Sequence, residues 1–411
     1  MNATIQSLSR ALKSACKGLA AVGFLMLAFT GQSAAQDVKV IAAEATGVDI
    51  TPIINGDTTS TGEFVDRIYE LERNAFYFVS APLNKDGSTL HLRAQDGDGT
   101  PPLLLPLQSE GGSWPDFVRQ RGDLILEGIW FDSQNGDNRN AGRPIRLLAD
   151  SARAIIKGNF FENARGAGLV VLGNNQKWYV TDNVFARMGQ RATPGGNGRA
   201  LDVRDARPVD TLVFQNNTMY MIMDRVIRTQ GASFHHVKFD HNTVFNHEGE
   251  HGNLQLGTVT GDAIVTNNLF LDAQWKGAHP NIAEQTQKEN QSHYMVTFDT
   301  LSPGLNVQIS HNNAAWSQLV KDFWSANSSV TSKPPLLIES LEGKMGTEAF
   351  NAAFTEEEFV ELADVPALAD YADYMNALFA DPRPDPFPRW QETDLIGAPF
   401  IDVSYPTTSA S

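Results

Sequence analysis

From residue 121 to 315 the chain repeats one short phrase of alternating apolar and polar positions. Leu124-Ile125-Leu126-Glu127-Gly128-Ile129-Trp130-Phe131 aligns with Ala154-Ile155-Ile156-Lys157-Gly158-Asn159-Phe160-Phe161, and the frame returns at Asn183, Asn217, Asn242, Asn268 and Asn312. Three places before these anchors stand Leu126, Ile156, Val180, Phe214, Phe239, Val265 and Ile309; two places after come Phe131, Phe161, Phe185, Met219, Val244, Phe270 and Ala314. All are apolar. Alternation with period two is the mark of a strand with one buried and one wet face, so each unit is read as a strand and not a helix.

The anchors are spaced by 30, 24, 34, 25, 26 and 44 residues. A repeat near 25 residues is too short for a propeller blade and suits one turn of a β-solenoid, with the longer intervals carrying loop insertions. The chain is therefore predicted to be all-β, a single-stranded parallel β-helix. Stacked asparagine amides donate and accept at once, so the anchors are expected to form a structural column, with Ile129 standing in the first coil where the column has not begun. A second strand precedes each anchor: Ile145–Leu148, Leu169–Leu172, Leu201–Arg204, Ile227–Gln230, Leu254–Gly257 and Met295–Phe298. With the first residue of each inward, the outward column holds Arg146, Val170, Asp202, Arg228 and Gln255, with Arg204 beside it.

Outside this frame the pattern changes. Residues 36–120 contain strand-like runs such as Phe76-Tyr77-Phe78-Val79 and are read as an N-terminal cap or leading strands, since an open solenoid end is a free sheet edge. Residues 316–411 are read as a C-terminal covering region, partly helical over Glu356–Leu378 and Pro-rich over Asp381–Pro388. At the other end, Arg10, Lys13 and Lys17 precede the apolar run Leu19–Phe29 and the small residues Ser33-Ala34-Ala35. That order reads as a secretory signal over residues 1–35, too short for a membrane span, and places the mature chain outside the cell or in the periplasm. Its removal takes away the one cysteine, Cys16, so no disulfide or thiolate-bound metal is expected. It also leaves 29 Lys and Arg against 48 Asp and Glu, a net charge of −19, where the full chain has −16. So acidic a chain is not read as a nucleic-acid binder.

The Asn-x-Phe turns, about 25 residues apart and each preceded by an alternating strand, resemble the pectate-lyase-like superfamily of right-handed parallel β-helices over residues 121–315. The closing Leu395-Ile396-Gly397-Ala398-Pro399 is similar to the ending of secreted members. Lys238-Phe239-Asp240-His241-Asn242-Thr243 resembles the Ile-Asp-His stretch of pectate lyases, and Asn253–Gly277 the coil that follows. The Arg-x-Pro-x-x-Arg pattern of that family and the Gly-His-Gly signature of polygalacturonase-type hydrolases are missing. The resemblance implies an acidic polysaccharide as partner, lying in a groove along the first sheet of each coil, and a monomer is expected. The loops Ala186–Arg199, Asn246–Gly252 and Leu271–His293 are read as groove walls.

Eliminative cleavage of a uronic-acid polymer needs the substrate carboxylate neutralised, the adjacent proton removed and the leaving oxygen protonated. Arginine suits the first task because its planar fork meets a carboxylate bidentately. Arg204 and Arg228 are candidate catalytic residues, with Arg146, Asp202, Gln255 and Trp275 as substrate contacts, Trp275 by stacking on a sugar ring. Lys276 and His251 are candidate bases. Asp202, Glu248 and Glu250 together could hold calcium through carboxylate oxygens. Each has a plainer reading: Asp202 with Arg228 as an ordinary cross-strand pair, His251 as an ion pair with Glu248 and Glu250, Lys276 as a solvated loop residue, Trp275 as packing. A hydrolase or epimerase using Asp202 with Glu248 or Glu250, and a non-catalytic glycan-binding solenoid, remain as alternatives to the lyase.

Overall fold

The computed structural model describes residues 37–356 except 109–114, 134–142, 190–197, 250, 276, 279–293, 303, 327, 329–331 and 339–340. Almost all of these lie in one compact unit beginning at Lys39. The expected signal segment, Lys276, Glu250 and everything after Glu356 fall outside the described residues. Among the described residues no helix is long and apolar enough to cross a membrane.

The chain forms a parallel β-helix of three sheets, here I, II and III in the order one coil visits them. A representative coil runs through Ile145–Leu147 in sheet I, Arg153–Lys157 in sheet II and Phe160–Glu162 in sheet III. Each strand pairs in parallel with the equivalent strands of the coils before and after. Among the described residues sheet I has seven strands and sheets II and III have eleven each. Sheets II and III already begin at Val38–Ile41 and Val48–Asp49, whereas sheet I begins at Val118–Gln120. Residues 37–120, expected as a cap or leading strands, thus supply the first coils of two sheets; a short helix, Thr51–Asn55, buries Ile54 there.

The hydrophobic alternation produces this by filling the interior rung by rung. Ile145, Leu169, Leu201, Ile227, Leu254 and Val296 stand in register and are buried. Phenylalanines stack along the axis: Phe131 on Phe161 with ring centres 5.1 Å apart, Phe161 on Phe185 at 5.0 Å, Phe185 on Phe214 at 5.7 Å and Phe214 on Phe239 at 5.6 Å. The stack crosses from sheet III to sheet II where Met219 replaces phenylalanine in the frame, then returns through Phe270 to Phe354.

Between sheets II and III the anchors form a continuous ladder. The backbone N–H of Asn159 donates to Asn183 Oδ1 at 2.9 Å, and the same bond links Asn183 to Asn217, Asn217 to Asn242, Asn242 to Asn268 and Asn268 to Asn312. Each Nδ2 also donates to a backbone carbonyl of the preceding coil, as Asn183 does to Ile156 O at 2.8 Å. The ladder starts where expected: the Ile129 N–H donates to Asn159 Oδ1. The residue before each anchor is left-handed, with φ of 69° at Gly128, 61° at Asp182, 54° at His241 and 56° at His311. His241, which resembles part of a pectate-lyase stretch, therefore sits in this structural turn, away from sheet I.

Past Ala315 the helix Gln318–Ala326 closes the end, with Trp316, Val320, Phe323 and Trp324 buried. Glu356, expected to open a helix, instead ends a strand, Phe354–Glu356, that pairs with Asn312–Ala315 in sheet III.

Candidate active site on sheet I

The six expected sheet I strands all occur, each one or two residues shorter than its sequence reading. Their outward column is the predicted one, extended at both ends: Arg119, Arg146, Val170, Asp202, Arg228, Gln255 and Thr297. Neighbouring rungs of a sheet are roughly 4.8 Å apart, so these side chains form a strip along the solenoid axis. The strip is much more buried than an open groove floor would be. Val170 and Asp202 are fully covered, and the Arg146 and Arg228 side chains are 19% and 15% exposed.

Three carboxylates organise it. Asp202 accepts from Arg228 Nε at 2.7 Å and Nη2 at 3.0 Å and from Arg204 Nη1 at 3.3 Å, with Arg199 Nη1 at 3.9 Å. Asp224 pairs with Arg199 Nη2 at 2.5 Å, with Arg225 Nη1 at 3.9 Å and with His251 Nδ1 at 2.8 Å. Asp116 faces Arg146 Nε at 3.0 Å and Arg119 Nε at 3.1 Å. With Arg143 beside Arg146 and Arg204, seven arginines meet three aspartates among the described residues. Even counting Glu248 at the margin, this strip is positive on a strongly negative protein.

Burial alone would raise the Asp224 carboxyl, but Arg199, His251 and Arg225 hold it well below the usual carboxylate range. It is thus ionised and can only accept. His251 Nδ1 must therefore be the donor, which leaves Nε2 of the neutral ring as an acceptor. The backbone carbonyl of His251 in turn accepts from Arg225 Nε at 3.0 Å. Burial pulls the Arg143, Arg146 and Arg225 guanidiniums below their ordinary value. Asp116 moves the other way: burial raises its carboxyl despite Arg146, Arg119 and Arg143. Behind this layer the buried His247 donates from Nε2 to Asp224 O at 2.6 Å and accepts at Nδ1 from the Gln274 N–H, fixing the wall turn to the next coil.

The expected residues divide accordingly. Arg146, Arg204, Arg228, Asp202 and Gln255 are brought together on one face, although Gln255 Oε1 accepts from the Thr229 N–H and is in part a strand contact. Asp202 and Arg228 do form the cross-strand pair of the plainer reading, and it is a buried one. His251 pairs with Asp224 of the preceding coil; Glu250, one of its two expected partners, lies outside the described residues. Trp275 is 4% exposed and packs edge-on to Phe323 at 6.2 Å, while its carbonyl accepts from Trp324 Nε1, so it belongs to the closing helix and not to a sugar platform. Asp202 does not fit calcium: both its oxygens accept guanidinium N–H groups. Glu248 is buried, and among the described residues no three His, Cys, Asp or Glu are gathered to hold a metal.

Sequence reading missed Asp116, Arg143, Arg199, Asp224 and Arg225. A signal for four of them exists. Asp116, Arg143, Ala167, Arg199 and Arg225 each stand two residues before a sheet I strand, so the frame that gave the outward column, extended by two positions, gives a second polar column.

No protein-family model matches the chain, and no curated protein sequence does. Among solved structures it is similar to a mannuronic acid specific polysaccharide family 6 lyase from human gut microbiota, at 12% identity, covering 83% of this chain and 94% of that one, with a TM-score of 0.32. A superposition this loose says nothing about the site.

Proposed function

We propose that the protein is an exported carbohydrate-active enzyme, a polysaccharide lyase that cleaves a uronic-acid polymer by β-elimination on the outer face of sheet I. The observation that carries this reading is the His251–Asp224 dyad joined, through Arg199, to the arginines around Asp202. In this reading Arg228, Arg204 and Arg146 meet the substrate carboxylate, stabilising the charge that develops when the adjacent carbon loses its proton. His251 Nε2 takes that proton, with Asp224 on Nδ1 fixing the tautomer. The electron pair left on carbon forms the double bond as the bond to the leaving oxygen breaks, and that oxygen takes a proton from the imidazolium or from water. No step runs through calcium.

The hydrolase alternative is weaker here, because Asp202, one of its two carboxylates, is engaged by arginines on both oxygens. Incubation with alginate, pectate and related uronates tests the proposal. A rise in ultraviolet absorbance from the unsaturated product is expected with at least one polymer. New reducing ends without that absorbance would reassign the protein to hydrolysis, and neither signal would leave a binding solenoid.

A further inference from the structure

On sheet II the strand Ser233–Asp240 breaks the alternation that shapes the rest of the solenoid. Phe234 and Val237 are both buried in the core although they stand three places apart, so His235 and His236 between them both face outward. The strand of the next coil follows with one extra residue: Phe234 pairs with Val259 and His236 with Asp262, and the register shifts between them. A Cβ on Gly261, within that extra stretch, would lie 2.9 Å from His235 Nδ1, so glycine leaves the ring its space. The two imidazole rings come to lie with their centres 4.2 Å apart, and the His236 side chain is 45% exposed.

Hydrogen bonds fix both tautomers. Asp262 Oδ2 lies 2.7 Å from His236 Nδ1, and its Oδ1 accepts from Asn306 Nδ2 at 3.2 Å. A carboxylate accepts, so His236 donates from Nδ1 and its Nε2 keeps a lone pair. The Thr260 hydroxyl gives its one proton to Phe234 O at 3.3 Å and lies 3.4 Å from His235 Nδ1. It can therefore only accept from His235, whose Nε2 also keeps a lone pair. Lys238, the next outward residue of the strand, is drawn to Asp240 at 3.0 Å. Neighbouring imidazoles with Nδ1 held by oxygen and Nε2 open, one of them backed by a carboxylate, are the donors and outer shell that borderline transition metals take. From this arrangement we infer a site for one divalent transition ion, Zn2+ or Cu2+, held by Nε2 of His235 and His236 with its remaining positions open to water. Asp262 is a positioning residue behind His236 and not a ligand. Calcium, which takes oxygen ligands, has no place on two nitrogens. The inference stands on sheet II alone and does not depend on the lyase reading.

Calorimetric titration of the untagged full chain with Zn2+ and with Cu2+ tests it. Either ion should bind saturably, Cu2+ the more tightly, and excess Ca2+ should not displace Zn2+. His235→Ala, His236→Ala and Asp262→Asn should each weaken Zn2+ by about tenfold or more, the size of loss that even an outer-shell partner causes. Because both histidines face outward, their variants should melt with the parent. His311→Ala, which removes an exposed imidazole from a turn elsewhere, should leave the titration unchanged. No saturable binding of either ion, displacement by Ca2+, or parental affinity in His235→Ala or His236→Ala would each overturn the site. Parental affinity in Asp262→Asn would overturn the role given to that carboxylate.

Discussion

On the turn between sheets II and III the rungs from Asn159 to Asn312 carry one residue, while the outward face of sheet I reads Arg, Arg, Val, Asp, Arg, Gln, Thr. Both columns are polar and both are largely buried. The asparagine column satisfies itself because every amide meets an identical amide, so nothing is left over to interact with a ligand. The arginine column carries more guanidinium charge than its aspartates neutralise. Repetition of one neutral group stabilises a solenoid, whereas a mixed column with surplus charge does so less well and is the one suited to an anionic ligand.

Substitutions in the two columns should separate these roles. Asn217→Ala would orphan the backbone N–H of Asn183 inside the core, take one acceptor from its Nδ2 and remove the Asn217 Nδ2 donor from Val180 O, a loss of about 4 kcal/mol by denaturant unfolding. A loss below about 1 kcal/mol would mean that water replaces the ladder at no cost. Asp202→Ala should come next, at roughly 3 kcal/mol, because it leaves buried guanidiniums around an empty centre. If that variant were as stable as the parent, the aspartate would be a ligand for something other than its arginines.

Asp272 gives the comparison a third case, a carboxylate 2% exposed without such a lattice. Burial pushes it up to about 6, against the Ser317 N–H and hydroxyl and the more distant Lys321. Because its folded value lies above the ordinary 3.8, the ionised form lowers stability above pH 6, and that penalty disappears as pH falls below about 4. Asp272→Asn should therefore raise the unfolding free energy by up to roughly 2 kcal/mol at pH 7.5 and by nothing at pH 4. Equal effects at the two pH values would contradict the shift.

How far the sequence could be read follows the same division. The ladder, the phenylalanine stack and the six sheet I strands were legible because each repeats one residue class at one place in the frame. Arg146, Asp202 and Arg228 were legible as a column for the same reason. Their partners were not. Asp224 and His251 stand 27 residues apart, one coil, in turns whose lengths differ, so nothing in the linear pattern pairs them. Trp275 looked like a wall residue because its packing partner, Phe323, comes from a helix that follows the repeat.

In the proposed function, chemistry resides on the outer face of sheet I and not in the ladder. Its most direct test is the rate of ultraviolet absorbance increase on the best uronate polymer, measured for Arg228→Ala and His251→Ala beside their melting temperatures. Both variants should lose about a hundredfold or more in rate, with melting kept within roughly 4 °C of the parent in His251→Ala and lowered further in Arg228→Ala, which leaves the buried Asp202 to Arg204 and Arg199. Variants that fold normally and turn over at the parental rate would contradict the claim.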